Sequence, residues 1–182
     1  MAAADTTAAM RALMAQFAIF EALLLAVSAV HKGLRWPRSR RVMQQFAGIP
    51  AALAAPLLAG VILAELSAGL LLVFAASRTT GALLAAVLLG CYLVLIVRAV
   101  VQRRRDVDCG CSFGPARPLG TFQVARNGML LGVTLLLIAV SVGSGSAPAQ
   151  ASQILGGLAL LALYGALDEV MAVRPMQSGA AS

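Results

Sequence analysis

The chain has 182 residues, of which 60% are hydrophobic and only 12% charged, with a mean hydropathy of +0.90. A water-soluble domain carries about 25% charged residues, so this surplus of apolar side chains excludes a soluble enzyme and requires lipid as the outer solvent. The formal net charge of +7 does not point to nucleic acid: the basic residues sit in short segments between apolar runs, as in loops facing anionic headgroups, with no interleaved aromatics.

In chain order, a tail over about residues 1–11 precedes a single transmembrane domain over about 12–173, and residues 174–182 form a C-terminal tail. Five spans are predicted within it, at about 12–30, 49–76, 81–101, 122–142 and 152–173. Each is near the roughly 20 apolar residues that a bilayer core demands, and none shows the period-two alternation of a membrane barrel. Lipid offers no partner to a free backbone group, so the runs are read as helices. The first run closes on His31, Lys32 and Gly33, with Trp36 just beyond as a candidate interfacial anchor. It contains Val27-Ser28-Ala29, which resembles a signal-peptide cleavage site, but its length and the interrupting Glu21 favour a retained span. The second run has Pro50 near its first turn, where a missing N–H costs little, and Pro56 as a potential kink. Small residues recur at four-residue spacing in Gly60, Ala64 and Ala68, and again in Gly128 and Gly132, a pattern that lets helix backbones approach.

Ionisable groups inside a span are costly and face the bundle interior. Glu21 and Glu65 lie mid-span in helices one and two, and Glu21, Ser28 and His31/Lys32 fall on one helical stripe. Arg126 and Asn127 open helix four, where Arg126 either snorkels to the interface or pairs with a carboxylate. These groups are read equally as buried hydrogen-bonded glue or as the lining of a proton path or quinone-like pocket. Asp168 and Glu169, late in helix five, are expected at the interface.

Three cysteines are present. Cys91 stands alone within helix three and is expected to be packing. Cys109 and Cys111 flank Gly110 in the loop between helices three and four. A disulfide across so short a loop closes a strained, reducible ring, suited to exchange rather than to stapling. The neighbouring arginines favour thiolate, whereas Asp106 and Asp108 oppose it. Three readings stay open at this point: a redox pair, metal ligands completed by His31 and Asp108, and inert loop cysteines. With five spans, twelve of the fourteen Lys and Arg share the face of this loop, against Arg11 and Arg78 on the other. The positive-inside rule then sets the cysteine loop in the cytoplasm, in conflict with a role in maturing an exported client, which needs outward-facing thiols.

The His31-Lys32 end of helix one, Pro50, the Glu65-Leu66-Ser67-Ala68-Gly69-Leu70 segment, Cys109-Gly110-Cys111 followed by Phe113-Gly114, and Arg126-Asn127 together resemble the MauE family within the wider DoxX-like group. The likeness runs over about residues 12–142. The family pattern is close to Cys-x-Cys-Phe-Gly, and Ser112 is inserted here before Phe113. The resemblance implies an all-α, polytopic transmembrane bundle with a DoxX-like four-helix core plus a fifth helix, in a bacterial inner membrane. It implies a redox-associated protein in which Cys109 and Cys111 exchange electrons with a thioredoxin-like partner. That exchange would support a disulfide-rich client such as methylamine dehydrogenase. His31 or Arg126 would stabilise a thiolate, Glu65 would handle protons with Asn127 in support, and a quinone is the candidate electron acceptor. No metal is expected. The rival expectations are a non-catalytic membrane assembly subunit and a small ion- or proton-coupled transporter.

Overall fold

The computed structural model describes residues 2–102, 120–140 and 147–177, with side chains described over 6–45, 48–102, 120–140 and 150–170. Six helices follow in order: α1 (Ala2–Leu34), α2 (Trp36–Ala47), α3 (Ala51–Val73), α4 (Arg78–Val101), α5 (Thr121–Ala139) and α6 (Ala147–Gln177). Among the described residues there is no strand. Five of the helices are long and apolar enough to cross a membrane: Thr6–Leu34, Ala51–Val73, Arg78–Val101, Thr121–Ala139 and Gln150–Val170. The chain is therefore a polytopic helical membrane protein, as its composition demanded.

Helix α1 is the centre of the bundle. It packs along α3 on one side and α6 on the other, while α3 packs on α4 and α4 on α5. The main core takes Met14, Ala18, Ala22 and Leu25 from α1, Ala68 and Leu72 from α3, Ala82, Ala85 and Leu88 from α4, and Leu137 from α5. A second cluster joins Phe20, Leu89 and Leu130, with Tyr164 of α6 against it. Large apolar residues such as Leu63, Leu70, Val87, Val94, Met129 and Leu155 stay exposed. In water such a surface would aggregate, whereas in lipid it needs no cover. Cys91 belongs to this outer surface, which corrects its expected place in the packing.

Close helix approach falls on other glycines than the repeating ones. A Cβ on Gly81 would lie 2.7 Å from the Leu72 backbone nitrogen, and one on Gly69 would lie 3.0 Å from the Ala22 carbonyl oxygen. Gly81 therefore sets the α3–α4 contact and Gly69 the α1–α3 contact. Gly60, Gly128 and Gly132 have open space where a side chain would stand.

Two boundaries depart from the hydropathy reading for local reasons. Helix α2 lies where a plain loop was expected: Pro37 sits in its first turn, and Gly48 ends it at φ 67°, in the left-handed region. It carries Arg38, Arg40 and Arg41 and packs against α1, α3 and α4. Helix α3 stops at Val73 rather than Ala76, and α4 begins at Arg78 rather than at Gly81. The turn is made by side chains: Ser77 Oγ donates to the Leu71 carbonyl at 3.0 Å, and Arg78 Nε to the Leu72 carbonyl at 3.1 Å. These carbonyls are among the four that the end of α3 leaves without helical partners, and a cation there also complements the helix dipole.

Candidate functional site

Glu65 lies on α3, about 21 Å along the axis from the first residue at 1.5 Å per residue, and it is 0% exposed. A carboxylate at that depth needs a cation and hydrogen bonds. Two neighbouring helices supply them. Ser28 and Lys32, four residues apart, occupy the same face of α1, and that face packs on α3. Lys32 Nζ meets Glu65 Oε1 at 2.5 Å and Ser28 Oγ at 2.6 Å, and Ser28 Oγ donates to the same carboxylate oxygen at 3.0 Å. Tyr92 of α4 donates its hydroxyl to Glu65 Oε1 at 2.7 Å, while its ring lies 5.1 Å below the Lys32 ammonium. The ammonium is thus held by a carboxylate, a hydroxyl and an aromatic face. Glu65 Oε2 is buried and has no hydrogen-bond partner among the described residues. It is the one atom of the group left to take a proton or a donor.

A second unit has the same composition. Arg126, five residues into α5, is buried, and its Nη1 donates to Asp168 Oδ1 of α6 at 2.9 Å. Its guanidinium lies 5.4 Å from the Tyr164 ring centroid. Asp168, near the end of the last span, is 3% exposed and packs inward against Arg126, while its neighbour Glu169 stays exposed. Asn127 is buried and donates Nδ2 to the Gln123 carbonyl at 3.0 Å, within its own helix. A third polar contact joins Glu21 of α1 to Thr134 of α5, and Thr134 Oγ1 also lies 2.8 Å from the Leu130 carbonyl. Glu21 therefore turns toward α5 while Ser28 and Lys32 turn toward α3. The single polar stripe read on α1 is divided between two partners.

The sequence-predicted residues separate accordingly. Glu65 gathers Ser28, Lys32 and Tyr92. Arg126 gathers Asp168 and Tyr164, and Asn127 lies beside it. His31 is half-buried in the last turn of α1. Cys109 and Cys111 lie outside the described residues, as does Asp108, and with them most of the suggested metal ligand set. Among the described residues no cluster of three His, Cys, Asp or Glu could hold a metal ion. Helix connectivity places the ends of α1 and α4 and the starts of α3 and α5 at one end of the bundle. In the sequence the cysteines fall between α4 and α5, and Arg126 stands one to two turns inside that end.

Sequence reasoning missed the two tyrosines and Thr134, and it assigned Lys32 no partner. A signal was available. The chain has just two Tyr, both within spans, and each lies under a buried cation.

The family described as methylamine utilisation protein MauE matches residues 10–140, which takes in α2 to α5 whole and nearly all of the spanning part of α1. Neither a curated protein nor a solved structure matches the chain.

Proposed function

The chain belongs to the MauE family of methylamine utilisation membrane proteins, and from that premise we propose that it relays thiol–disulfide exchange in support of a partner's maturation. The observation that carries this reading is the Lys32–Glu65–Tyr92 group. A buried ion pair is a poor device for stability, since an apolar pair of similar volume holds a bundle as well or better. Its retention by three helices, with one carboxylate oxygen left over, fits a group that handles protons.

The chemistry assigned is a two-electron exchange. A Cys109–Cys111 disulfide accepts two electrons and two protons and becomes two thiols, while the dithiol of a partner is oxidised to its disulfide. A thioredoxin-like protein is the fitting partner and a disulfide-rich enzyme such as methylamine dehydrogenase the fitting client. A membrane quinone, itself reduced by two electrons and two protons, is the candidate acceptor that returns the thiols to the disulfide. Glu65 Oε2 is the assigned proton carrier. Arg126, near the loop's end of the bundle, supplies positive potential that favours thiolate, and its pairing with Asp168 limits how much. His31 is the other candidate for that task.

We place the protein in a bacterial inner membrane. The charge distribution assigns the cysteine loop to the cytoplasm, whereas oxidation of an exported client requires the outer face. Labelling of intact cells with a membrane-impermeant maleimide, on a Cys91→Ala background, decides between them. Labelling only after external reduction shows an outward disulfide. Labelling only after the membrane is opened, without reductant, shows inward thiols and shifts the assignment to a cytoplasmic electron donor. Cys109→Ser and Cys111→Ser test the relay itself: each is expected to abolish client maturation, and full maturation by both variants sinks the proposal.

A further inference from the structure

At the end of the bundle away from the α4–α5 connection, a cavity of about 240 Å³ opens between α1, the α3–α4 turn and the first turns of α6. Its lining includes Ile19, Phe74, Arg78, Gln150, Gln153 and Ile154. Arg78 is only 6% exposed. Its Nε and Nη2 cap the Leu72 and Val73 carbonyls, at 3.1 and 3.4 Å. Its Nη1 is buried and has no partner among the described residues. Among the described residues no carboxylate lines the cavity, and neither α4 nor α6 has an acidic residue in its first turn. Both helices begin here, so their positive dipole ends add to the guanidinium charge. A buried cation, two carboxamides and an apolar wall are complementary to an oxyanion attached to an apolar body.

We propose that this cavity binds a phosphate group, with the Arg78 guanidinium as its positive charge and Gln150 and Gln153 as neutral donors. Ile19, Phe74 and Ile154 form the wall along which an acyl chain would lie. The phosphate can come from an anionic phospholipid headgroup or from free phosphate, and competition separates these sources. The site is independent of the cysteine relay.

The full chain, purified in detergent, is tested by native mass spectrometry for its tightest-bound lipid. The probes are phosphatidylglycerol and a neutral diglucosyl-diacylglycerol of the same chains. Charge-assisted hydrogen bonds set the expectation of about tenfold greater retention of phosphatidylglycerol. Arg78→Gln and the double variant Gln150→Leu/Gln153→Leu are each expected to remove most of that preference. Displacement by inorganic phosphate identifies the anion alone as sufficient, and resistance to it identifies the lipid, either result supporting the site. Equal retention of the neutral lipid overturns the proposal, as does undiminished preference in Arg78→Gln. Should Arg78→Gln fail to fold because α3 loses its cap, the double Gln variant decides, since it removes no cap. An unchanged preference there overturns the proposal equally.

Discussion

At the scale of single residues, the buried charges separate stability from function. Lys32→Met leaves Glu65 buried without its cation, and Glu65→Gln leaves the Lys32 ammonium without its anion. Each is expected to destabilise the bundle by about 3–5 kcal/mol, measured by reversible unfolding in mixed micelles. The double variant Lys32→Met/Glu65→Leu removes both charges and is expected to recover most of that loss, because the two sites are in contact and strongly coupled. If the pair serves the chemistry, the recovered double variant still fails to mature the client. If it matures the client normally, the pair is structural glue. Arg126 and Asp168 obey the same rule, so Arg126→Leu alone is expected to cost a similar amount. Glu65 was legible in the sequence because an acid in an apolar run stands out. Its cation was not, because Lys32 ends a span and reads as an interfacial residue until α1 is laid against α3.

At the scale of helices, packing turns on where a side chain would collide. Gly81→Val would place its Cβ within 2.7 Å of backbone. Backbone cannot move aside as a side-chain tip can, so a loss of more than about 1–3 kcal/mol is expected. Gly128→Ala meets nothing within 4 Å and is expected to change stability by less than about 0.5 kcal/mol. This contrast also tests the assembly reading. Maturation lost in a stably folded Gly128→Ala protein would mean that a partner helix packs on that outer face of α5, and a subunit role would gain over the relay. Helix α2 was hidden from a hydropathy reading because it is short and polar, too short to cross a membrane. Pro37 early and Gly48 late were its local signals. Gly48→Ala must adopt a left-handed backbone without glycine's freedom, and is expected to cost about 1–2 kcal/mol.

At the scale of the whole molecule, five crossings set the end of α4, after which the cysteines follow in the sequence, and Arg78 at opposite ends of the bundle. The proposed relay and the proposed phosphate cavity thereby stand apart, and Arg78→Gln is expected to leave the maleimide labelling pattern of Cys109 and Cys111 unchanged. Labelling of the two cysteines from the opposite face in that variant would show that the turn directs insertion rather than binding a ligand. The sequence by itself determined the membrane class, the number of spans and the family resemblance. These follow from composition and run length, because lipid forces every backbone polar group to be satisfied within its own segment. Only the tertiary structure decided which buried charges meet. It divided the polar residues of α1 between α5 and α3, drew Asp168 inward to Arg126, and turned Arg78 onto the carbonyls of α3. The physical reason is that a buried charge takes whichever partner the helix rotations bring within about 3 Å, and those rotations are set by small-residue contacts such as Gly69 on α1 and Gly81 on α3, which link segments distant in the chain.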